Sequence, residues 1–330
     1  MIKFFKSTEN ENTVRLTAYE KGCWVDLINP SDDEVEDVCA LTGVSDEMIK
    51  AALDEEETAR VDREDGNFLC LIDTPTITDT EDGDTYETIP MGLIYNENCI
   101  ITVSLRGNPV LGDFLSSRVD IDTSKPLMFV LKFMMGNAKR FLSNLRQIDK
   151  KSHRVQAELH RSMKNRELIQ LLELENSLVY FSTALNSNIK LYGKFERMPE
   201  IVNDEDYRDL FDDVAVETRQ AMEMCTIYRD ILSGTMDSYA SIISNNMNIV
   251  MKLLTVVTLI ISVPTLIASI WGMNVNVPFG VDSPAWAWSF WIVIAIGIVA
   301  TVVVSIFVIR STNSIKIKTP RVKRKRRGKD

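Results

Sequence analysis

Two long apolar runs dominate the last quarter of the chain. From Leu253 to Trp271 there are 19 consecutive residues without a charge, and from Ala285 to Ile309 there are 25. About 20 apolar residues in a helix cross the hydrocarbon core of a bilayer, so both runs are predicted to be membrane spans. Upstream the rhythm differs. Residues 1–125 alternate short β-branched and aromatic runs with helical patterns: "CWVDLI" (23–28), "FLCLIDTPTI" (68–77), "TIPMGLIYN" (88–96) and "CIITVS" (99–104) read as strands. "SDDEVEDVCALTG" (31–43) reads as a helix, with serine at the N-cap, acids in the first turn and glycine at the end.

From Pro126 onward strand signals nearly vanish, and residues 137–194 read as one or two long helices. A break at "ERMPEIVNDEDY" (196–207) leads into a further helical stretch from about Tyr207 that is predicted to continue into the first span. At ~1.5 Å per residue such a rod extends on the order of 90 Å. No lone helix of that length is stable, so packing against copies of itself or neighbouring helices is implied.

Charge orients these elements. Residues 310–330 hold ten of the 37 Lys and Arg and one of the 47 Asp and Glu, so an acidic body ends in a basic tail. Lys252 precedes the first span, and Arg310, Lys316, Lys318 and "RVKRKRR" (321–327) follow the second, which puts both flanks on the cytoplasmic side. The connection "NVNVPFGVDSP" (274–284) has one acid, Asp282, and no base. Trp271, Phe279, Trp286, Trp288 and Trp291 surround it as an interfacial belt would. "MIKFFKSTEN" has no apolar stretch of signal-peptide length, so the N-terminus is expected to stay in the cytosol. Directly after a span, the basic tail is read as fixing topology against anionic headgroups, with no nucleic-acid partner. The five scattered cysteines read as small core residues, without a disulfide framework or a thiolate zinc site.

The expected architecture is an α/β cytoplasmic domain (1–125), long cytoplasmic helices (126–206), a stalk helix continuous with the first span (207–271, in the membrane from about 250), an outer loop (272–284), a second span (285–309) and a basic cytoplasmic tail (310–330).

Polar residues in the rod follow a strict rule. From Asp237, the positions Ser241, Ser244, Asn248, Met251, Thr255, Thr258, Ser262, Thr265 and Ser269 recur at alternating steps of four and three, the a/d seam of a left-handed coiled coil. All but Met251 are polar, and in lipid a polar seam must face protein or water. Copies around an axis would form a pore lined by hydroxyls, a thioether and a carboxamide, above an acidic ring of Asp237. The bland alternative is that the hydroxyls bond back to their own helix or glue a helix pair. The second span is apolar on every face, which suits an outer, lipid-facing helix.

At "WGMN" (271–274), followed by a short loop and one last span, the chain resembles the CorA-type magnesium transporters. "DEEETARVDREDGNFLCLID" (54–73), "ELIQLLELENSLVYFSTALNSN" (167–188) and "YRDILSGTMDSYASIISNNMNIVMKLLT" (228–255) stand in the family's order. The resemblance implies a homopentameric divalent-cation channel in the cell membrane, with an α/β cytoplasmic funnel and a long stalk helix running into the pore. It places the selectivity filter on Gly272, Met273 and Asn274, and pore positions on Asn248, Met251, Leu254, Thr255, Thr265 and Ser269, with Leu254 as a hydrophobic constriction. Trp271 replaces a common tyrosine, Ser262 a common methionine, and the loop lacks a common glutamate. Neutral carboxamide oxygens at Asn274 can accept hydrogen bonds from the waters that Mg2+ sheds reluctantly.

Gating by cytosolic Mg2+ is implied too. Its candidate ligands are Asp209, Asp212 and Asp213, facing Asp73 or Asp79 of a neighbouring subunit; the alternative is a solvated face near a helix N-terminus. The leading function is Mg2+ influx, with cobalt or nickel as further substrates. Proton-coupled zinc transport in the same fold is the rival, and a membrane-anchored sensor without a pore is the reading from another class. No phosphate-binding loop, nucleophile constellation or metal motif suggests an enzyme.

Overall fold

A computed structural model of the protein describes residues 1–7, 13–80, 83–116, 118–162, 165–273 and 286–313. It divides into two compact units, Met1–Asp237 and Ser238–Asp330.

Unit 1 is built on a seven-stranded sheet. Its strands are β1 (Ile2–Ser7), β2 (Thr13–Leu16), β3 (Cys23–Ile28), β4 (Arg60–Glu64), β5 (Asn67–Thr80), β6 (Gly83–Tyr95) and β7 (Cys99–Ser104), in the order β2-β1-β3-β7-β6-β5-β4. Every neighbouring pair is antiparallel except β3 and β7. That parallel pair forms the middle of the sheet. Its residues are almost continuously buried, as strands covered on both faces require. β3 and β7 coincide with the runs expected from their β-branched content, whereas β1, β2 and β4 are additional. The turn from β4 to β5 is Asp65-Gly66, with φ of 47° and 79°, the left-handed conformation that a two-residue hairpin loop needs.

One face of the sheet carries α1 (Asp32–Thr42) and α2 (Asp46–Ala51). α1 begins as its sequence dictates. The Ser31 hydroxyl accepts from the Glu34 N–H at 3.3 Å, the Glu34 carboxylate accepts from the Ser31 N–H at 3.0 Å, and Gly43 ends the helix at φ 75°. Ala52, just after α2, lies so close to β6 that a Cβ on Gly92 would stand 2.7 Å from the Ala52 methyl.

The other face packs under α3 (Pro109–Leu115), α4 (Pro126–Ser162), α5 (Asn165–Phe195), the short α6 (Pro199–Asn203) and the first turns of α7 (Glu205–Trp271). Phe114, Phe129, Phe133 and Phe195 are fully buried there, each contributing on the order of 1.5–3 kcal/mol of apolar burial. Beneath Phe129 the Trp24 indole N–H donates to the Thr102 hydroxyl at 2.9 Å, and that hydroxyl donates to the buried Asp26 carboxylate at 2.8 Å. Thus the sheet and the long helices share one core. Cys23, Cys70, Cys99 and Cys225 are buried and Cys39 half-buried, all as free thiols, in keeping with their reading as small core residues.

Unit 2 contains the remainder of α7 and one further helix, α8 (Trp286–Asn313). Each holds a stretch long and apolar enough to cross a membrane, and almost none of either stretch is buried. A helix apolar all round and bare to its surroundings is in its native solvent only in lipid or against other helices.

Candidate pore and cation sites

α7 starts where the chain gives it a cap. The Asp204 carboxylate accepts from the N–H groups of Asp206 and Tyr207 at 3.0 and 3.3 Å, and Glu205 and Asp206 add negative charge to the first turn. Phe211 and Val214 then anchor its first turns in the core, and the Cys225 thiol donates to the Leu178 carbonyl of α5 at 3.2 Å. The helix continues without interruption to Trp271.

The seam residues Ser241, Ser244, Asn248, Met251, Thr255, Thr258, Ser262, Thr265 and Ser269 all lie on α7, where steps of three and four keep side chains on one face. All are exposed, and so are their apolar neighbours Leu253, Leu254 and Ile261. In a single chain, exposure therefore does not single out the seam. Asp237 is also exposed and closes unit 1.

Hydrogen bonding says more. Thr255, Thr258 and Thr265 each donate their hydroxyl proton to the carbonyl four residues back, those of Met251, Leu254 and Ile261, at 2.8, 2.8 and 2.7 Å. Back-bonding was the bland alternative for a polar stripe, and it does occur at these three positions. It leaves only oxygen lone pairs facing outward, the polarity that water around a cation seeks.

The seam is also interrupted by a residue that the polar period does not include. Pro264 sits inside α7 between Ser262 and Thr265, and with no N–H it leaves the Ile260 carbonyl without its helical donor. A proline in a predicted span was the available signal.

α7 ends at the expected signature. The Gly272 N–H donates to the Ala268 carbonyl at 2.9 Å and the Met273 N–H to that of Ile270 at 3.3 Å. Both residues are exposed. Asn274, Asp282 and the connection to α8 lie outside the described residues, as does the basic tail after Asn313.

Asp209, Asp212 and Asp213 are exposed on the second and third turns of α7, at spacings that place them on one side of the helix. Asp73 is half-buried on β5, where burial pushes its carboxyl up to about 6. The Asp79 side chain lies outside the described residues. Among the described residues of one chain, no three His, Cys, Asp or Glu side chains converge into a metal-binding group.

Residues 19–311 match the family model described as CorA-like Mg2+ transporter protein. The chain is 25% identical over 300 residues to the cobalt/magnesium transport protein CorA of Methanocaldococcus jannaschii, covering 88% of this chain and 91% of that one. It is 33% identical over 102 residues to the protein of the same name from Thermotoga maritima, covering 31% of this chain and 27% of that one. The complete structure of the CorA magnesium transporter from Methanocaldococcus jannaschii superposes with a TM-score of 0.75 at 22% identity, over 94% of this chain and 97% of that one.

Proposed function

The chain belongs to the family of CorA-like Mg2+ transporter proteins, matched over residues 19–311, and on that premise we propose that it is a homopentameric channel admitting Mg2+ to the cytosol. Family members transport ions and are not enzymes. The channel lies in the cell membrane with both termini cytoplasmic, α7 forming the inner ring and α8 the outer.

The observation that carries this reading is the polar seam on an otherwise apolar, bare helix that ends at Gly272 and Met273. In lipid, hydroxyls and the carboxamide of Asn248 need a shared polar axis, which copies of α7 around a pore provide. A hydrated ion enters at Gly272, Met273 and Asn274, where neutral oxygens hold its water shell without stripping it. It then passes Ser269, Thr265, Ser262, Thr258 and Thr255, whose oxygens accept from that shell. Leu254 forms the hydrophobic constriction, Met251 and Asn248 follow, and Asp237 draws the ion onward. A divalent ion gains about 4.6 kcal/mol per 100 mV of membrane potential, twice the single-charge value, so the gradient alone drives influx.

Cytosolic Mg2+ closes the pore by binding between subunits. Asp209, Asp212 and Asp213 of one subunit face Asp73 or Asp79 of the next, carboxylates being the hard oxygen donors this ion takes. Cobalt and nickel follow the same path.

The test is uptake into proteoliposomes. Mg2+ should enter under an inside-negative potential without a pH gradient, and Asn274→Ala should abolish uptake while leaving the oligomer intact. Zinc uptake that requires a pH gradient, with no Mg2+ flux, would replace this reading by proton-coupled zinc transport. Flux of neither ion would remove the pore altogether.

A further inference from the structure

Within unit 1, α3, α4 and the second turn of α7 line an open cavity of about 440 Å³. Its apolar wall is built from the half-buried Val119, Met135 and Leu210, backed by the fully buried Phe114. Its rim is cationic: Arg118, Lys132, Lys139 and Arg140 line it against a single carboxylate, Asp113. Asp113 is already divided between Arg118 Nη1 at 3.1 Å and Arg140 Nη2 at 3.9 Å. Lys132 donates to the Asp120 backbone carbonyl at 2.5 Å and is in electrostatic contact with the Asp122 carboxylate, and Lys139 is exposed.

Two surplus positive charges around one concave surface repel one another, and a concave low-dielectric wall focuses their field outward. Such a surplus is out of character here, because residues 1–309 hold 46 Asp and Glu against 27 Lys and Arg. An anion in the cavity removes the repulsion. The rim suits phosphate oxygens, which guanidinium groups bind with paired hydrogen bonds. The apolar wall suits a flat organic group, and the volume lies in the range of small-molecule sites, ~300–1,000 Å³.

We propose that this cavity binds a soluble organic polyphosphate of the nucleoside triphosphate class, phosphates on Arg118, Lys139 and Arg140 and the base against Val119, Met135 and Leu210. The ligand would touch α4, α7 and the segment that follows α3 together. Its binding is independent of which ion the protein carries.

Isothermal titration of ATP into the full-length protein in detergent, with EDTA present to exclude metal bridging, tests it. Saturable binding is expected, weakening as salt is raised. The double variant Arg118→Glu, Lys139→Glu should bind at least about tenfold more weakly, as the loss of charge-assisted contacts predicts. Lys139→Ala, a milder change at an exposed side chain, should weaken it in the same direction. Circular dichroism and gel filtration confirm that both variants are folded. Adenosine, without phosphate, and inorganic pyrophosphate, without a base, should each bind more weakly than ATP. Absence of saturable binding, equal affinity in the folded double variant, or pyrophosphate binding as tightly as ATP would each overturn the proposal.

Discussion

Asn188 of α5 holds the backbone of Asp73 on β5 from both sides: its carboxamide oxygen accepts from the Asp73 N–H at 3.0 Å and its amide donates to the Asp73 carbonyl at 2.9 Å. The Asn137 amide of α4 donates to the same carbonyl at 2.9 Å. Opposite Asp73 on β6 stands Pro90, which has no N–H to offer a neighbouring strand. Two helices thus supply the middle of β5 with side-chain hydrogen bonds, and Asn188 is almost fully buried in doing so.

Asn188→Ala should therefore destabilise unit 1 by about 1–3 kcal/mol, because the Asp73 N–H loses its acceptor in a buried place while the Asp73 carbonyl keeps the Asn137 amide. A lowered thermal midpoint of the purified full-length protein would register it. A midpoint unchanged from wild type would mean that water replaces the carboxamide without loss.

The side chain of the same aspartate has the opposite effect at neutral pH. Burial raises its carboxyl to about 6, so between the ordinary carboxylate range and about 6 the folded chain holds a proton that the unfolded chain has released. This contribution to stability is complete at the acidic end of that window and is lost as pH rises through it. In EDTA, Asp73→Asn should be more stable than wild type by about 1–2 kcal/mol at neutral pH. The advantage should shrink as pH falls below about 6, read as converging melting curves. A constant difference across pH would show that the carboxyl titrates normally.

Gly92→Ala adds a methyl where the Ala52 methyl already stands, a separation of 2.7 Å that forces α2 away from β6. A loss of about 1–3 kcal/mol is expected. Adding Ala52→Gly should recover part of it, since the clash is between these two carbons. If the double variant melted no higher than Gly92→Ala alone, the contact would not be the cause.

Thr258→Val preserves the shape of the side chain and removes its oxygen. The backbone carbonyl of Leu254 keeps its helical partner, so assembly should be unaffected. Mg2+ uptake should fall several-fold if that oxygen faces the ion's water shell. Wild-type flux would remove Thr258 from the pore lining.

Much of the fold was legible because it is written locally. The capping box of α1 lies within four residues, the spans show as unbroken runs without charge, and α7 follows from the near absence of helix breakers. The polar seam was equally legible as a period on one helix. Asp65-Gly66 is a plain hairpin signal in the sequence, and it marks β4 as well as β5. β2 forms one edge of the sheet with β1 beside it, and these half-exposed strands lack a continuous apolar run. Asn188 carried only the weak mark of a carboxamide set between Leu185 and Leu191 on a buried helix face.

By itself, the sequence determined α1, the long helices and the two long apolar runs, where α7 ends, and which of its positions share a face, since each depends on residues within a few turns of one another; the short α2, α3 and α6 were not among its predicted elements. Only the tertiary structure decided that β3 lies beside β7, that Asn188 meets Asp73, and that Arg118, Lys139 and Arg140 surround one cavity. Those relationships join residues tens of positions apart, and they exist only once burial of the shared core has brought the sheet and its covering helices into register.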